Sequence, residues 1–208
     1  MELTELDAAI GDGDHGINLE RGFTALRARL RDGADGNAYG GQLLDLTGRT
    51  LVSTVGGASG PLYGSFYLEL ATALQGLDVA AADAFGDALR AAAAAVGRRG
   101  RSSTGEKTML DALVPAAEAW VREAASGASL SSCAAAAGKA AAHGRDSTRD
   151  LVATKGRASY LGERSRGHID PGATSATLLV GALADAARQV EGRAPGADGT
   201  GEGSGASR

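Results

Sequence analysis

Asp7, Asp12 and Asp14 stand among Gly11, Gly13 and Gly16, and residues 7–16 hold no lysine or arginine. Carboxylates gathered without a counter-charge point to a cation. On one regular helix, at about 100° per residue, Asp7 and Asp12 would lie about 140° apart and Asp12 and Asp14 about 200° apart, so convergence needs a turn. If a short helix closes at Asp7, the glycines let the backbone bring the three carboxylates round one point. Oxygen-only ligands select a hard ion, Mg²⁺ or Ca²⁺. A Ca²⁺ loop of the EF-hand type wants a closing glutamate about six residues past its central glycine, and Glu20 lies near the wrong offset. Mg²⁺ shared with a phosphate substrate fits better, because Mg²⁺ keeps positions open for phosphate oxygens. The plainer alternative is an acidic, glycine-rich turn that caps the next helix.

Three other segments carry polar chemistry. Residues 55–61 read Val-Gly-Gly-Ala-Ser-Gly-Pro, a glycine-rich turn ahead of a helix that Pro61 is suited to open, and amides at such a helix start bind phosphate. Residues 97–108 hold Arg98, Arg99, Arg101 and Lys107, either a solvated charged loop or cations for phosphate. Residues 155–172 hold Lys155, Arg157, Arg164, Arg166 and His168, which could cover phosphates from the side opposite the aspartates. Carboxylates with a metal, glycine amides and arginine are the parts of phosphoryl transfer.

Other chemistries fit less well. A serine hydrolase wants its nucleophile on a strand-to-helix elbow, and the sequence offers no strand pattern. Three scattered histidines and Cys133 do not make a zinc site. Gly105-Glu106-Lys107-Thr108 ends like a P-loop but lacks the paired glycine and a preceding strand. The net charge of −4 argues against general nucleic-acid binding. Cys133 in an alanine run reads as core filler and, alone, forms no intrachain disulfide. No apolar run is long enough to span a membrane and no signal-peptide pattern opens the chain, so a cytoplasmic location is expected.

The elements that must position these residues are helical. Leu19, Phe23, Leu26 and Leu30 fall on one face of a helix over 18–31, and similar stripes predict helices over 39–55 and 63–74 and around Phe85–Val96. Met109–Glu123 gives another, with Pro115 expected to bend it or begin a turn. Alanine-rich helices are expected over 130–143 and 146–153, and a last one over 173–191. No stretch alternates like a strand, so the class is all-α. One domain over 1–191 is expected, and residues 192–208, glycine-rich with almost nothing to bury, read as a disordered tail.

Taken together, GDGDHGINLERGF, VGGASGPLYGSFY, GEKTMLDAL and KGRASYLGERSRGHIDPGATS resemble the nucleotide-binding L subunit of dihydroxyacetone kinase, over about residues 6–187. The resemblance implies an antiparallel, up-and-down barrel of eight helices with a nucleotide at one rim. It implies that Asp7, Asp12 and Asp14 bind two Mg²⁺ ions, and that His15, Gly16, Ile17 and Asn18 lie along ADP. Ala58 and Ser59 match the phosphate-facing turn, Gly100 and Met109 the adenine end, and Arg157, Asp170, Pro171 and Gly172 the remaining contacts. With Arg157, the three aspartates form the implied catalytic set. It further implies that ADP stays bound as a coenzyme and is rephosphorylated by a phosphohistidine of a phosphotransferase-system M subunit, and that the resulting ATP passes its γ-phosphate to dihydroxyacetone held on a separate K subunit. Two related activities stay open: a kinase domain using free ATP on dihydroxyacetone or another short ketose, and a nucleotide-sensing module that transfers nothing. Members usually carry a further helix before the first aspartate, whereas Asp7 here follows six residues. The expectation is a late start or a barrel lacking its first stave, whose exposed apolar faces would leave it poorly stable or associated, for instance as a homodimer.

Overall fold

Alanine and leucine at helical spacing become eight α-helices among the described residues, which in this computed structural model are 2–32, 40–76 and 81–192. They are α1 (Glu2–Ile10), α2 (His15–Asp32), α3 (Gly40–Thr54), α4 (Ser59–Ala73), α5 (Ala82–Gly100), α6 (Leu110–Ala125), α7 (Leu130–Ser147) and α8 (Pro171–Glu191). No strand occurs among these residues. Each helix packs on the next in sequence, and α1 also packs on α8, which closes the ring. The connections between many neighbours are short, so they run antiparallel, up and down around the barrel.

One buried cluster runs from Leu19 on α2 to Ala184 on α8, with Trp120, Tyr63, Phe66 and Leu51 as its large members. Small residues fill the rest and let backbones approach closely. At the α6–α7 seam, Pro115 lacks the N–H that would bond to the Asp111 carbonyl one turn back, and that carbonyl lies against Gly144, where any Cβ would collide with it. Pro115 lies inside α6, which runs on to Ala125. It leaves a carbonyl that a neighbouring glycine accommodates.

Two further expectations are corrected. Residues 146–153 do not form their own helix: α7 runs to Ser147, Thr148–Asp150 make one 3₁₀ turn, and the chain then extends, because Arg145–Asp150 offer no apolar face to bury. Helix α4 opens at Ser59 rather than at Pro61. A first stave is present: α1, described over Glu2–Ile10, packs on α2 and α8 and buries Asp7 and Ile10. Beside it a groove of about 770 Å³ runs between α1, α2 and α8, with Ile17 (54% exposed) and Leu178 (56%) on its walls. The expectation of a disordered tail falls almost wholly on residues 193–208, outside those described.

Candidate functional site

The aspartates are brought together where α1 ends and α2 begins. Asp7 sits in the last turn of α1, and its Oδ2 accepts the backbone N–H of Asp14 (2.9 Å) and of His15 (3.1 Å). That bond pattern folds the chain back across Gly11–Asp14. Gly11 is required there, because a Cβ would fall on the Asp7 carboxylate, and Gly13 takes a left-handed φ of 73°. One carboxylate oxygen from each of Asp7, Asp12 and Asp14 then lies within 4.8 Å of the others. Three hard oxygen donors at that spacing fit a hard cation.

The aspartates form one end of a cleft of about 360 Å³. Beside them is the turn 55–58, leading into α4. Ala58, the residue before that helix, offers no side-chain cap, so the Ser59 and Gly60 amides are left to meet an anion. The Ser59 hydroxyl is held by His15: Nδ1 of His15 lies 3.0 Å from Ser59 Oγ, and Nε2 lies 2.9 Å from Ser175 Oγ, which in turn meets Tyr63 Oη at 2.6 Å. Ser175 also reaches the Gly172 carbonyl at 3.0 Å. With Ser175 donating there, it accepts from Tyr63 and from His15 Nε2–H, and the His15 Nδ1 lone pair receives the Ser59 hydroxyl proton. Burial pulls the His15 imidazole below its ordinary range, with Asp7 and Asp14 opposing, and pushes the Tyr63 phenol up, so both favour the neutral forms this chain needs.

The opposite wall is assembled from distant segments. Gly100 and Met109 border the loop between α5 and α6, and Arg157 opens a 3₁₀ segment, Arg157–Ser165. Asp170 caps α8, its Oδ2 accepting the Ala173 N–H at 2.7 Å, and Pro171 begins that helix. Burial pushes the Asp170 carboxyl up to about 7, against the pull of the Ala173 amide and of Lys107. Arg157 Nη2 reaches across to Asp12 Oδ2 at 2.9 Å. Both partners are substantially exposed, so the pair marks the approach of the two walls more than it stabilises them.

Twelve of the positions expected from the sequence meet in this cleft: Asp7, Asp12, Asp14, His15, Ala58, Ser59, Gly100, Met109, Arg157, Asp170, Pro171 and Gly172. Gly16, Ile17 and Asn18 do not line it. At about 100° per residue along α2, only His15 of that stretch faces the cleft. Gly16 and Ile17 border the groove beside α1 instead, and Asn18 is buried behind Gly56 with its Oδ1 accepting from Arg21. Of the five cationic groups in 155–172, Lys155 and Arg157 border the cleft; Arg166 turns outward to Glu163 and the Asp150 carbonyl, and Arg164 and His168 are exposed. Nor does Lys107 belong to a solvated loop. It is 1% exposed, and its Nζ donates to the carbonyls of Thr148 (2.5 Å), Leu151 (3.3 Å) and His168. Sequence reasoning also missed Ser175, and placed Tyr63 merely in a core stripe. Nothing in the spacing of a helix-face tyrosine and a helix-start serine far apart in the chain signals that they meet.

An all-helical barrel whose rim gathers carboxylates, unfilled helix-start amides and an arginine has the make-up of a domain that handles phosphate esters together with a hard cation. The comparisons make this class specific. Residues 9–185 match the model of the DAK2 domain. The chain is 43% identical over 187 residues to the ADP-binding subunit DhaL of the PEP-dependent dihydroxyacetone kinase of Escherichia coli K12, covering 90% of this chain and 88% of that one. It is 40% identical over 181 residues to the corresponding subunit of kinase 1 of Listeria innocua, covering 87% and 84%. Among solved structures, the dihydroxyacetone kinase from C. freundii in complex with AMP-PNP and Mg²⁺ superposes with a TM-score of 0.65 at 27% identity over 89% of this chain, which spans 30% of that larger one. The chain belongs to the DAK2-domain family, in its branch of ADP-binding subunits of dihydroxyacetone kinase. Among the described residues no helix is long and apolar enough to cross a membrane.

Proposed function

We propose that this chain holds ADP as a resident coenzyme of a PEP-dependent dihydroxyacetone kinase. In this reading, a phosphohistidine of the M subunit rephosphorylates the ADP, and the γ-phosphate passes to dihydroxyacetone on the K subunit. The observation that carries the reading is the convergence of Asp7, Asp12 and Asp14 within 4.8 Å beside the open start of α4, in a chain alignable along 88% of a subunit named for ADP binding.

The donor set fits Mg²⁺: Asp7, Asp12 and Asp14 supply only oxygens, and the three together carry enough charge for two ions shared with a diphosphate. Bound there, Mg²⁺ would neutralise phosphate charge and orient the transferred group. The protein's own residues do the rest. Asp7 fixes the turn through the Asp14 and His15 amides, so Asp12 and Asp14 are presented together. The first-turn amides of α4 and the Ser59 side chain, steadied by His15, border the phosphates. Arg157, placed beside Asp12, supplies positive charge where negative charge spreads over the transferred group. Met109, Leu62 and Val96 give the far end of the cleft an apolar surface suited to a base. His15, with both ring nitrogens engaged in the Ser59–Ser175 chain, orients side chains rather than receiving phosphate.

A second reading has a specific observation behind it: the same fold forms about a third of a larger dihydroxyacetone kinase, as a domain of a single chain. Such a domain would exchange free ATP. One experiment separates the two. The chain is purified with Mg²⁺, denatured, and the released nucleotide is chromatographed; about one ADP per chain is expected. Empty protein that binds ATP weakly would favour the free-ATP kinase, and protein that binds neither nucleotide would remove both readings.

A further inference from the structure

Lys107 is a buried cation that the nucleotide reading leaves unused. Its surroundings are built for it. The Asp111 carboxylate accepts the backbone N–H of Thr108 at 2.7 Å and that of Gly105, which curls residues 105–108 and holds Lys107 at a φ of 62°, a left-handed value that only a few non-glycine residues adopt. The curl turns the side chain inward. There its Nζ meets three backbone carbonyls, and only the charged ammonium has three N–H donors to give. None is left for a phosphate.

The identity of the three carbonyls is what matters. Thr148 follows α7, Leu151 precedes the excursion over residues 152–167, and His168 follows it. Both ends of that loop therefore meet at one nitrogen, the form of an Ω-loop. The loop has an interior of its own: Ala153 and Ala158 pack with Ile10, joined by Leu161, and buried Ser165 Oγ accepts the Ala153 N–H at 2.9 Å. It is seated on α1 through Ile10, and it carries Arg157 to within 2.9 Å of Asp12. Beyond it, Asp170 is tied to the same knot, its N–H donating to Thr148 Oγ1 at 2.9 Å.

We infer that Lys107 is a positioning residue, closing loop 152–167 at its base so that Arg157 stands over the aspartate turn. Lys107 borders the cleft, but its donors are engaged by the three carbonyls, so it acts through Arg157; the inference rests on the nucleotide reading above. A residue acting through Arg157 has a signature that general support of the fold lacks: its loss and the loss of Arg157 do not add. The test measures Mg²⁺–ADP affinity by calorimetry for K107M, R157A and the double variant, with hydrogen exchange on the same proteins. K107M is expected to weaken ADP binding about tenfold, the scale for supporting groups behind a ligand shell. The double variant is expected to bind no more weakly than the poorer single variant. Exchange should quicken over 152–167 while α4 to α6 stay protected. Additive losses, unchanged affinity in K107M, or quickening spread evenly through the barrel would each overturn the inference. If K107M does not fold, K107Q, which keeps two N–H donors, is measured in the same way. A parent protein that binds no ADP would overturn the nucleotide reading alone, and the exchange pattern would still judge the closure of the loop.

Discussion

The aspartate wall of the cleft comes from one continuous stretch, residues 7–15, whereas the wall facing it is assembled from residues 107–109, 155–158 and 170–172, tied together through Lys107. The first wall is held by local backbone: two amides donating to Asp7, and glycines that make room for it. The second is held by side chains spanning long sequence separations. A local wall fixes charge at close range with little ordering of distant chain, while an assembled wall costs loop closure but can be adjusted at its base. The difference separates the residues that handle ligand from those that aim them.

The comparison breaks most severely at the first wall. D12N and D14N are each expected to lower Mg²⁺-dependent ADP retention about a hundredfold, the upper end for a lost metal-site interaction, with far-ultraviolet dichroism unchanged. Full ADP retention in both variants would mean that the carboxylates are not the cation site. The tenfold loss predicted for K107M comes next, and the order matters: a Lys107 effect equal to the aspartate effect would erase the distinction between handling and aiming.

The smallest effect concerns Asp170. Its carboxyl is raised to about 7 from the ordinary 3.8, so the fold favours the neutral form. That contribution to stability is complete below about pH 4 and is lost as pH rises through about 7. D170N retains a capping oxygen for the Ala173 amide but does not ionise. Its melting temperature is expected to gain on the parent's as pH is raised from 5 to 8, in paired thermal scans. His15, lowered by burial, works in the opposite direction below about 6.5, but it is common to both proteins and cancels in the difference. A difference that does not change with pH would show that Asp170 is ionised throughout.

The two walls were not equally legible in the sequence. Asp7, Asp12 and Asp14 announced themselves because the signal, three carboxylates and three glycines without a counter-charge, is contained in one short segment. Helical periodicity likewise located α2 to α8 to within a few residues. Lys107 was readable as one more charge in a basic loop or as the end of an incomplete P-loop, but its real role was hidden, since its partners are backbone carbonyls and carbonyls have no letter in a sequence. Ser175 escaped for a related reason: a small hydroxyl at the start of α8 acquires its role from His15, which is 160 positions away. The error at 146–153 arose from reading alanine-rich flanks as a second helix where Arg145–Asp150 supply no apolar stripe.

The thin burial of α1 has a thermodynamic consequence. Over Glu2–Ile10 it buries only one isoleucine and one aspartate, so little packing holds it. Its order then depends on the Asp7 end, the end that faces the proposed cation site. An ion that binds only the ordered form must then stabilise that helix by mass action, so metal occupancy and the seating of the first stave form a single equilibrium. Amide protons of residues 3–10 should exchange fastest among the helical segments when Mg²⁺ and nucleotide are stripped, and slow on their return more than those of α5 or α6 do. In the proposed reading, the coenzyme and the first stave are then seated together.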